Sequence, residues 1–318
     1  MNRRELLRTS VVATSALAFS RMATLALGAD YTKPVKEAKG LTAYQKDSRI
    51  LVRYENLPIL SYRAGSDAKY PYFYPLAGPK SGLSLTTESA LPYPHHRGLW
   101  LGCDPVNGGN YWADNGLTSG QIRSVELKLV APKAGDNSVA FTQKCEWKRQ
   151  GSHPFDDERQ YTVTRPNDDV VFIDCVFNLT AAEDVSIKRA KHSFFAMRAA
   201  SDISPAYGGT LMNSEGGINA KGTYGKPAAW CGYFGKRRFR PDVTEGIAIM
   251  NQPDNFGGNC PWFTRDYGHL SPSPFNFRKK PTTLAKGDSL KLSYRVVLFA
   301  GSPQEAKLDA VYKQWLSG

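Results

Sequence analysis

Val170-Val171-Phe172-Ile173-Asp174-Cys175-Val176-Phe177-Asn178-Leu179 decides the fold class. Val171, Ile173, Cys175, Phe177 and Leu179 recur at every second position, with Asp174 and Asn178 opposite. A period of two places one set of side chains on one face of a strand. The pattern repeats on both sides. Val139-Ala140-Phe141-Thr142-Gln143-Lys144-Cys145-Glu146-Trp147 alternates, and so does Arg159-Gln160-Tyr161-Thr162-Val163-Thr164. Near the end, Leu290, Leu292, Tyr294, Val296 and Leu298 alternate with Ser289, Lys291, Ser293 and Arg295. Runs of this kind, split by Gly, Asp and Asn, predict long antiparallel strands. Earlier, Ile50–Tyr54 and Ile59–Tyr62 flank Glu55-Asn56-Leu57-Pro58 and predict a hairpin. The stretch 69–79 is rich in aromatics and in Pro71, Pro75 and Pro79, which predicts an extended segment packed under a site.

One plain helix is expected, over 303–316. Ser302 can cap, Pro303 fits the first helical position and Glu305 completes a capping box. Leu308, Val311, Tyr312 and Trp315 then form one apolar stripe. No fixed-period repeat or linker divides the chain. The expectation is a mainly β, antiparallel sandwich forming a single domain over 49–318, preceded by an irregular, Lys-rich lead-in over 29–48.

Residues 1–28 read as a targeting segment. Asn2-Arg3-Arg4-Glu5-Leu6-Leu7 resembles a twin-arginine export motif. An apolar stretch from Val11 to Phe19 follows, and Ala26-Leu27-Gly28 offers a cleavage site before Ala29. The apolar run is too short to span a bilayer and Arg21 breaks it. The expected location is the periplasm or the outside of the cell. The formal charge of the chain is +12. Arg3, Arg4, Arg8 and Arg21 against Glu5 account for +3 of it, so the remainder carries +9. A basic protein favours anionic partners. The dense cluster Lys236-Arg237-Arg238-Phe239-Arg240 has no nucleic-acid-binding motif around it, so nucleic acid is not an expected partner. The five cysteines, Cys103, Cys145, Cys175, Cys231 and Cys260, contain no Cys-x-x-Cys. That spacing argues against structural zinc and for buried free thiols.

Four groups could carry chemistry. The densest is Pro94-His95-His96-Arg97-Gly98-Leu99-Trp100, followed by Asn107 and Trp112. In a regular strand His95 would share a face with Arg97, and His96 with Trp100. The second is Lys191-His192-Ser193-Phe194-Phe195-Ala196-Met197-Arg198, where alternation aligns His192 with Arg198. The third is the glycine-rich stretch 213–222 with Asn219, then Trp230; its glycines lack the spacing of a phosphate loop. The fourth holds Asn255, Trp262, Arg265 and Tyr267. Indoles stack on sugar C–H faces, while amides, carboxylates and guanidinium groups bind hydroxyls.

These residues carry a family resemblance. Pro71-Tyr72 with Pro75-Leu76, Pro94-His95-His96-Arg97-Gly98-Leu99-Trp100, Asn107-Gly108 with Trp112, Phe195-Ala196-Met197-Arg198, Asn219-Ala220 with Gly222 and Trp230, and Glu245-Gly246 followed by Pro253-Asp254-Asn255, Trp262 and Tyr267-Gly268 resemble the bacterial PmoA-like family over roughly 49–300. The resemblance implies a galactose mutarotase-like β-supersandwich and an exported, carbohydrate-degrading setting. The family label also implies a methane monooxygenase subunit. A sequence with no transmembrane segment excludes that.

Two functions follow as expectations. The first is an enzyme (hydrolase, lyase or epimerase) acting on a sugar or sugar acid. His95, His96 or His192 would be its acid/base, and Arg97 and Arg198 would bind a carboxylate or oxyanion. Trp100, Asn107, Trp112, Asn219, Trp230, Asn255, Trp262 and Tyr267 would complete substrate binding. No cofactor is expected; the variant is a divalent metal held by the histidines. The second function is a non-catalytic glycan-binding or scaffold protein with Trp100, Trp112, Trp230 and Trp262 as a platform. The partner in both is a sugar or oligosaccharide. Export has a direct test. Replacing Arg3 and Arg4 together by Lys is expected to hold the precursor in the cytoplasm, scored by fractionation. Normal periplasmic delivery of that variant would refute the export reading.

Overall fold

The computed structural model describes residues 39–130 and 137–318. The targeting segment 1–28 and the first part of the lead-in lie outside the described residues. Two antiparallel sheets make up the fold. In spatial order, the first contains β1 (Leu41–Lys46), β2 (Arg49–Tyr54), β3 (Leu57–Arg63), β4 (Tyr72–Leu76), β5 (Leu99–Val106), β10 (Val185–Arg198), β15 (His269–Pro272) and β14 (Trp262–Arg265). The short β16 (Thr282–Leu284) also pairs with β10. The second runs β11 (Thr210–Asn213), β12 (Trp230–Arg237), β13 (Arg240–Asn251), β17 (Ser289–Ala300), β9 (Val170–Ala181), β8 (Ser152–Asn167), β7 (Ser138–Arg149) and β6 (Gln121–Val130). The expected class, mainly antiparallel β with one C-terminal helix, is the class observed.

Alternation determines what the two sheets bury between them. Val171, Ile173, Cys175, Phe177 and Leu179 of β9 all enter the main core. Leu290, Leu292, Tyr294, Val296 and Leu298 of β17 join them. All five cysteines are buried and free.

Three local expectations need correcting. The lead-in is not irregular throughout, because residues 41–46 form β1 against β2. Leu41 and Ala43 pack on the core, and the strand covers an edge that β2 would otherwise present to water. The hairpin turn is shorter than 55–58. Glu55 and Asn56 alone make it, with φ of 45° and 65°, the two-residue geometry that suits strand twist. The C-terminal helix begins later than 303. α1 is the short Asn219–Thr223 helix, and α2 spans Leu308–Ser317. The Ser302–Glu305 capping box does form, with Ser302 N and Oγ donating to Glu305 Oε2 at 2.7 and 2.8 Å. It closes a separate turn, and Lys307 at φ 53° interrupts the path before α2. Leu308, Val311, Tyr312 and Trp315 then cover Val297 and Phe299 on the outer face of the second sheet. That second covering is why β17 stops alternating near its end.

Two charges break the apolar pattern of β8. Asp157 and Arg159 share the buried face with Tyr161 and Val163, and both are 1% exposed. Arg159 Nη2 and Nε donate to Asp157 Oδ2 at 2.6 and 3.0 Å. Trp147 Nε1 donates to the same oxygen at 3.0 Å. Across the interface, the Tyr62 hydroxyl of the first sheet donates to Gln143 and lies 3.1 Å from the Tyr161 hydroxyl. Arg159→Met would strand the Asp157 carboxylate in the core. The expected cost is about 3–5 kcal/mol in urea unfolding, with most of it recovered by adding Asp157→Leu.

Candidate functional site

The segment before β5 is a turn rather than a strand. His96 N donates to Tyr93 O at 3.0 Å, and Gly98 N to Thr87 O at 2.8 Å. Gly98 has φ +59°, and a Cβ there would lie 1.9 Å from the Phe73 carbonyl oxygen. Only glycine fits that approach. The turn removes the strict alternation that would separate adjacent histidines, so His95 and His96 both line one cleft.

The opposite wall comes from three neighbouring strands. β10 brings Lys191 and His192. β14 brings Phe263 and Arg265. The 266–268 turn into β15 brings Tyr267 and His269. With Tyr93 and Ala113 these residues enclose about 180 Å³. Trp100 and Trp112 pack beneath, with ring centroids 5.0 Å apart. Tyr70, in the aromatic stretch, stacks on Trp100 at 5.8 Å and donates its hydroxyl to the His95 carbonyl. The expectation that 69–79 packs under a site matches this arrangement.

Four of the chain's five histidines therefore meet in one place. His96 stacks on His269 at 4.6 Å and on Trp100 at 5.4 Å. His95 meets His96 edge-on at 4.6 Å. His192 stacks on Trp112 at 5.6 Å, with its Nδ1 3.7 Å from Asp104 Oδ2. Arg198 Nη1 lies 3.3 Å from His96 Nδ1. A guanidinium can only donate, so His96 Nδ1 accepts and the proton of the neutral ring sits on Nε2. Arg198 also lies 4.5 Å over the Tyr267 ring.

Burial keeps the two inner histidines, His96 and His269, uncharged. His96 is pushed down to about 2, first by desolvation and then by the charges of His95 and Arg198. His269 is held well below the usual imidazole value by the same cause, with His96 and Arg198 adding to it. His95, nearer the surface, is lowered by desolvation, against which Asp114 acts. No carboxylate of the described residues lines the cleft. Asp114 is engaged by Arg97 at 2.7 Å, and Asp104 stands behind His192.

The other singled-out residues lie elsewhere. Arg97 turns outward to Asp114 and over the Tyr72 ring. Asn107 bonds Glu183, the Asp184 carbonyl and Ser186 N in a turn. Asn219 opens α1, with Oδ1 3.4 Å from Leu211 N. Asn255 joins Asn251 to the backbone of Ser293. Trp230 donates to Asp309 of α2, and Trp262 to the Ala228 carbonyl. Trp100, Trp112, Trp230 and Trp262 are at most 3% exposed, so none forms an open face. Reading by motif missed His269, whose only signal was belonging to a set of five histidines. Among the described residues, Glu146, His153 and Asp156 are the group whose metal-ligand atoms all lie within 4.8 Å; no histidine of the cleft belongs to it.

The model of the family of unknown function DUF6807 matches residues 49–313, under that description and not a PmoA-like one. No curated protein matches the chain in sequence. Among solved structures, a mutant of heparan sulfate lyase HepC from Pedobacter heparinus is 8% identical with a TM-score of 0.38. The match covers 84% of this chain and 36% of the lyase, so this chain spans about a third of that protein. A galactose mutarotase related enzyme from Lactobacillus acidophilus is 7% identical with a TM-score of 0.33, covering 82% of this chain and 97% of that one. At such identities neither activity is carried over. No helix of the described residues is long and apolar enough to cross a membrane.

The neutral histidines make stability depend on pH. Unfolded imidazole titrates near 6.5, and His96 and His269 do so far lower when folded. Below pH 6.5 the unfolded chain binds protons that the folded chain refuses. The stability they carry is whole above that pH and falls as the pH drops, by about 1.4 kcal/mol per pH unit for each histidine. Urea unfolding at pH 7 and pH 5 is expected to show this loss, and His269→Gln is expected to lose less than wild type.

Proposed function

We propose that this chain, which belongs to the DUF6807 family, is an exported carbohydrate-active enzyme that uses histidine to move a proton on a sugar acid. The observation that carries the reading is the cleft lining: four imidazoles with Lys191 and Arg265, and no carboxylate. Glycoside hydrolysis normally needs two carboxyl groups facing the scissile bond. Their absence from the lining favours lyase or epimerase chemistry. A cavity of about 180 Å³ is small beside sites for drug-sized ligands, roughly 300–1,000 Å³, and suits one sugar ring.

His192 is the candidate base. The Asp104 carboxylate beside its Nδ1 and the Trp112 face beneath its ring orient it, as a carboxylate orients a catalytic imidazole. It would take the proton on the carbon next to the substrate carboxylate. Lys191 and Arg265 would stabilise the charge that develops on that carboxylate. In elimination, the electron pair forms a carbon–carbon double bond, the neighbouring C–O bond breaks and the departing oxygen takes a proton from the imidazolium form of His95. In epimerisation, His95 returns a proton to the same carbon from the other face. His96 and His269, buried and neutral, would hold the shape and dielectric of the site. Arg198 fixes His96, which leaves carboxylate binding to Lys191 and Arg265 instead of Arg97 and Arg198. The buried indoles favour this reading over a tryptophan platform.

Epimerisation exchanges the substrate's α-proton with solvent, whereas elimination removes it and leaves an unsaturated sugar. Incubation with uronic-acid glycans in deuterium oxide is expected either to label that carbon or to yield products with a carbon–carbon double bond, read by NMR, mass spectrometry and ultraviolet absorbance. His192→Ala is expected to lower the rate ~10²–10⁴-fold with the fold intact by circular dichroism. Products that carry neither the label nor a new double bond, or an unchanged rate in the variant, would reject the mechanism.

A further inference from the structure

A second and larger cleft lies beside the first. It encloses about 470 Å³ and is lined by Ser201, Asp202, Tyr207, Lys236 and Arg238. The basic cluster 236–240 supplies its cations. Arg237 is buried, 2% exposed, while Lys236 and Arg238 on either side of it are exposed. Its guanidinium donates to Asp202 at 3.0 Å, to Glu245 at 3.2 Å and to the carbonyls of Leu83 and Ser84. Lys236 lies near the end of β12 and Arg238 in the turn that follows, both exposed. The buried arginine between them, with the Arg238 backbone N–H bonded to Asp202, anchors the backbone that carries these two positive charges. Neither forms an ion pair among the described residues. The lone carboxylate of the lining, Asp202, is already occupied by Arg237 Nε and by the Arg238 backbone N–H. Tyr207 adds an aromatic ring that is 68% exposed.

The 201–207 segment joins this cleft to the histidine cleft. Ala206 N donates to Asp266 O at 3.0 Å, beside Tyr267 of the first lining. Arg198, which holds His96, lies over Tyr267 and feels the Tyr207 hydroxyl electrostatically.

We propose that the Ser201–Tyr207–Lys236–Arg238 cleft is a second, anion-binding subsite of the same active site, so that the substrate is an acidic oligosaccharide spanning both clefts. The proposal rests on the reading of the histidine cleft as a sugar-acid site. Lys236 and Arg238 would take a carboxylate or sulfate of a neighbouring unit, and Tyr207 would stack on its ring. The anchored backbone holds both cations at the rim of one cleft, beside the exposed Tyr207 ring, which favours a subsite over a diffuse basic surface.

Binding by the full chain tests this without relying on turnover. Calorimetry would compare polygalacturonate, alginate, chondroitin sulfate and heparin fragments of one and four units with neutral dextran fragments and with single-stranded DNA. At least one acidic tetramer is expected to bind more tightly than its monomer, with affinity falling as salt rises. Lys236→Glu with Arg238→Glu is expected to weaken that tetramer roughly five- to tenfold and leave the monomer within twofold. Lys291→Glu with Lys313→Glu, an equal charge change at exposed positions, is expected to leave both within twofold. The subsite is overturned by neutral fragments binding equally well, by no acidic fragment binding, by DNA binding in preference, or by an unaffected double variant. Acidic tetramers that bind as expected but are neither labelled nor cleaved would sink the catalytic reading and leave the subsite standing. Turnover that is equally fast in the Lys236/Arg238 variant on long and short substrates would do the reverse.

Discussion

Asp157 and Arg159 face each other in the space between the sheets, 2.6 Å apart and almost wholly out of water. Moving either charge alone into that space costs several kcal/mol, so the pair is tolerable only with its full set of partners. Those partners come from several strands. Trp147 reaches in from β7, and Tyr161 follows on β8. Tyr62 comes from the opposite sheet, where its hydroxyl lies 3.4 Å from Arg159 Nη1. A register slip of one residue would turn both charges to the other face of β8 and expose the apolar set of the same strand. Pairing across the interface therefore ties the alignment of the second sheet to that of the first.

The same desolvation, applied where the first sheet meets its loops, has a different outcome. There the buried titratable groups are imidazoles with a cation beside them, and they respond by giving up their protons. His96 and His269 become polar, uncharged parts of the cleft wall. His95 and His192 lie nearer the surface, and His192 has a carboxylate close by. One cluster thus separates into an inner, neutral pair and an outer pair nearer the surface. Lys191 and Arg265 in the lining, and Lys236 and Arg238 in the second cleft, add positive charge to the region.

Glycine, proline and aromatic residues near the site act through the backbone more than through contact with a ligand. Gly98 lets the chain pass against Phe73 and enter β5, which sets where His95 and His96 lie. Trp100 and Trp112 would be natural sugar-stacking residues if exposed. Fully buried, they are the floor on which two histidines stack. Asn255, Trp230 and Trp262 keep their hydrogen bonds inside the fold, so their role is to hold strands and α2 in place.

Period-two alternation in 139–147, 159–164, 170–179 and 289–298 was enough to establish two-faced antiparallel strands, because burial on one face is a local property of the chain. The motif around His95 and His96 was legible as a dense group of functional side chains, while the turn that brings both into one cleft breaks the alternation expected there, and Arg198 meets His96 rather than His192. Which residues meet was decided only in three dimensions. His269 joins His96 because β15 pairs with β10, which sets His269 opposite Arg198, a residue 71 positions earlier in the chain. Arg97 leaves the site because Asp114 captures it, and the tryptophans leave the surface because other elements cover them, the cleft histidines over Trp100 and Trp112 and α2 over Trp230. Local patterns record which face a side chain takes, while long-range strand pairing and desolvation determine its neighbours and its charge.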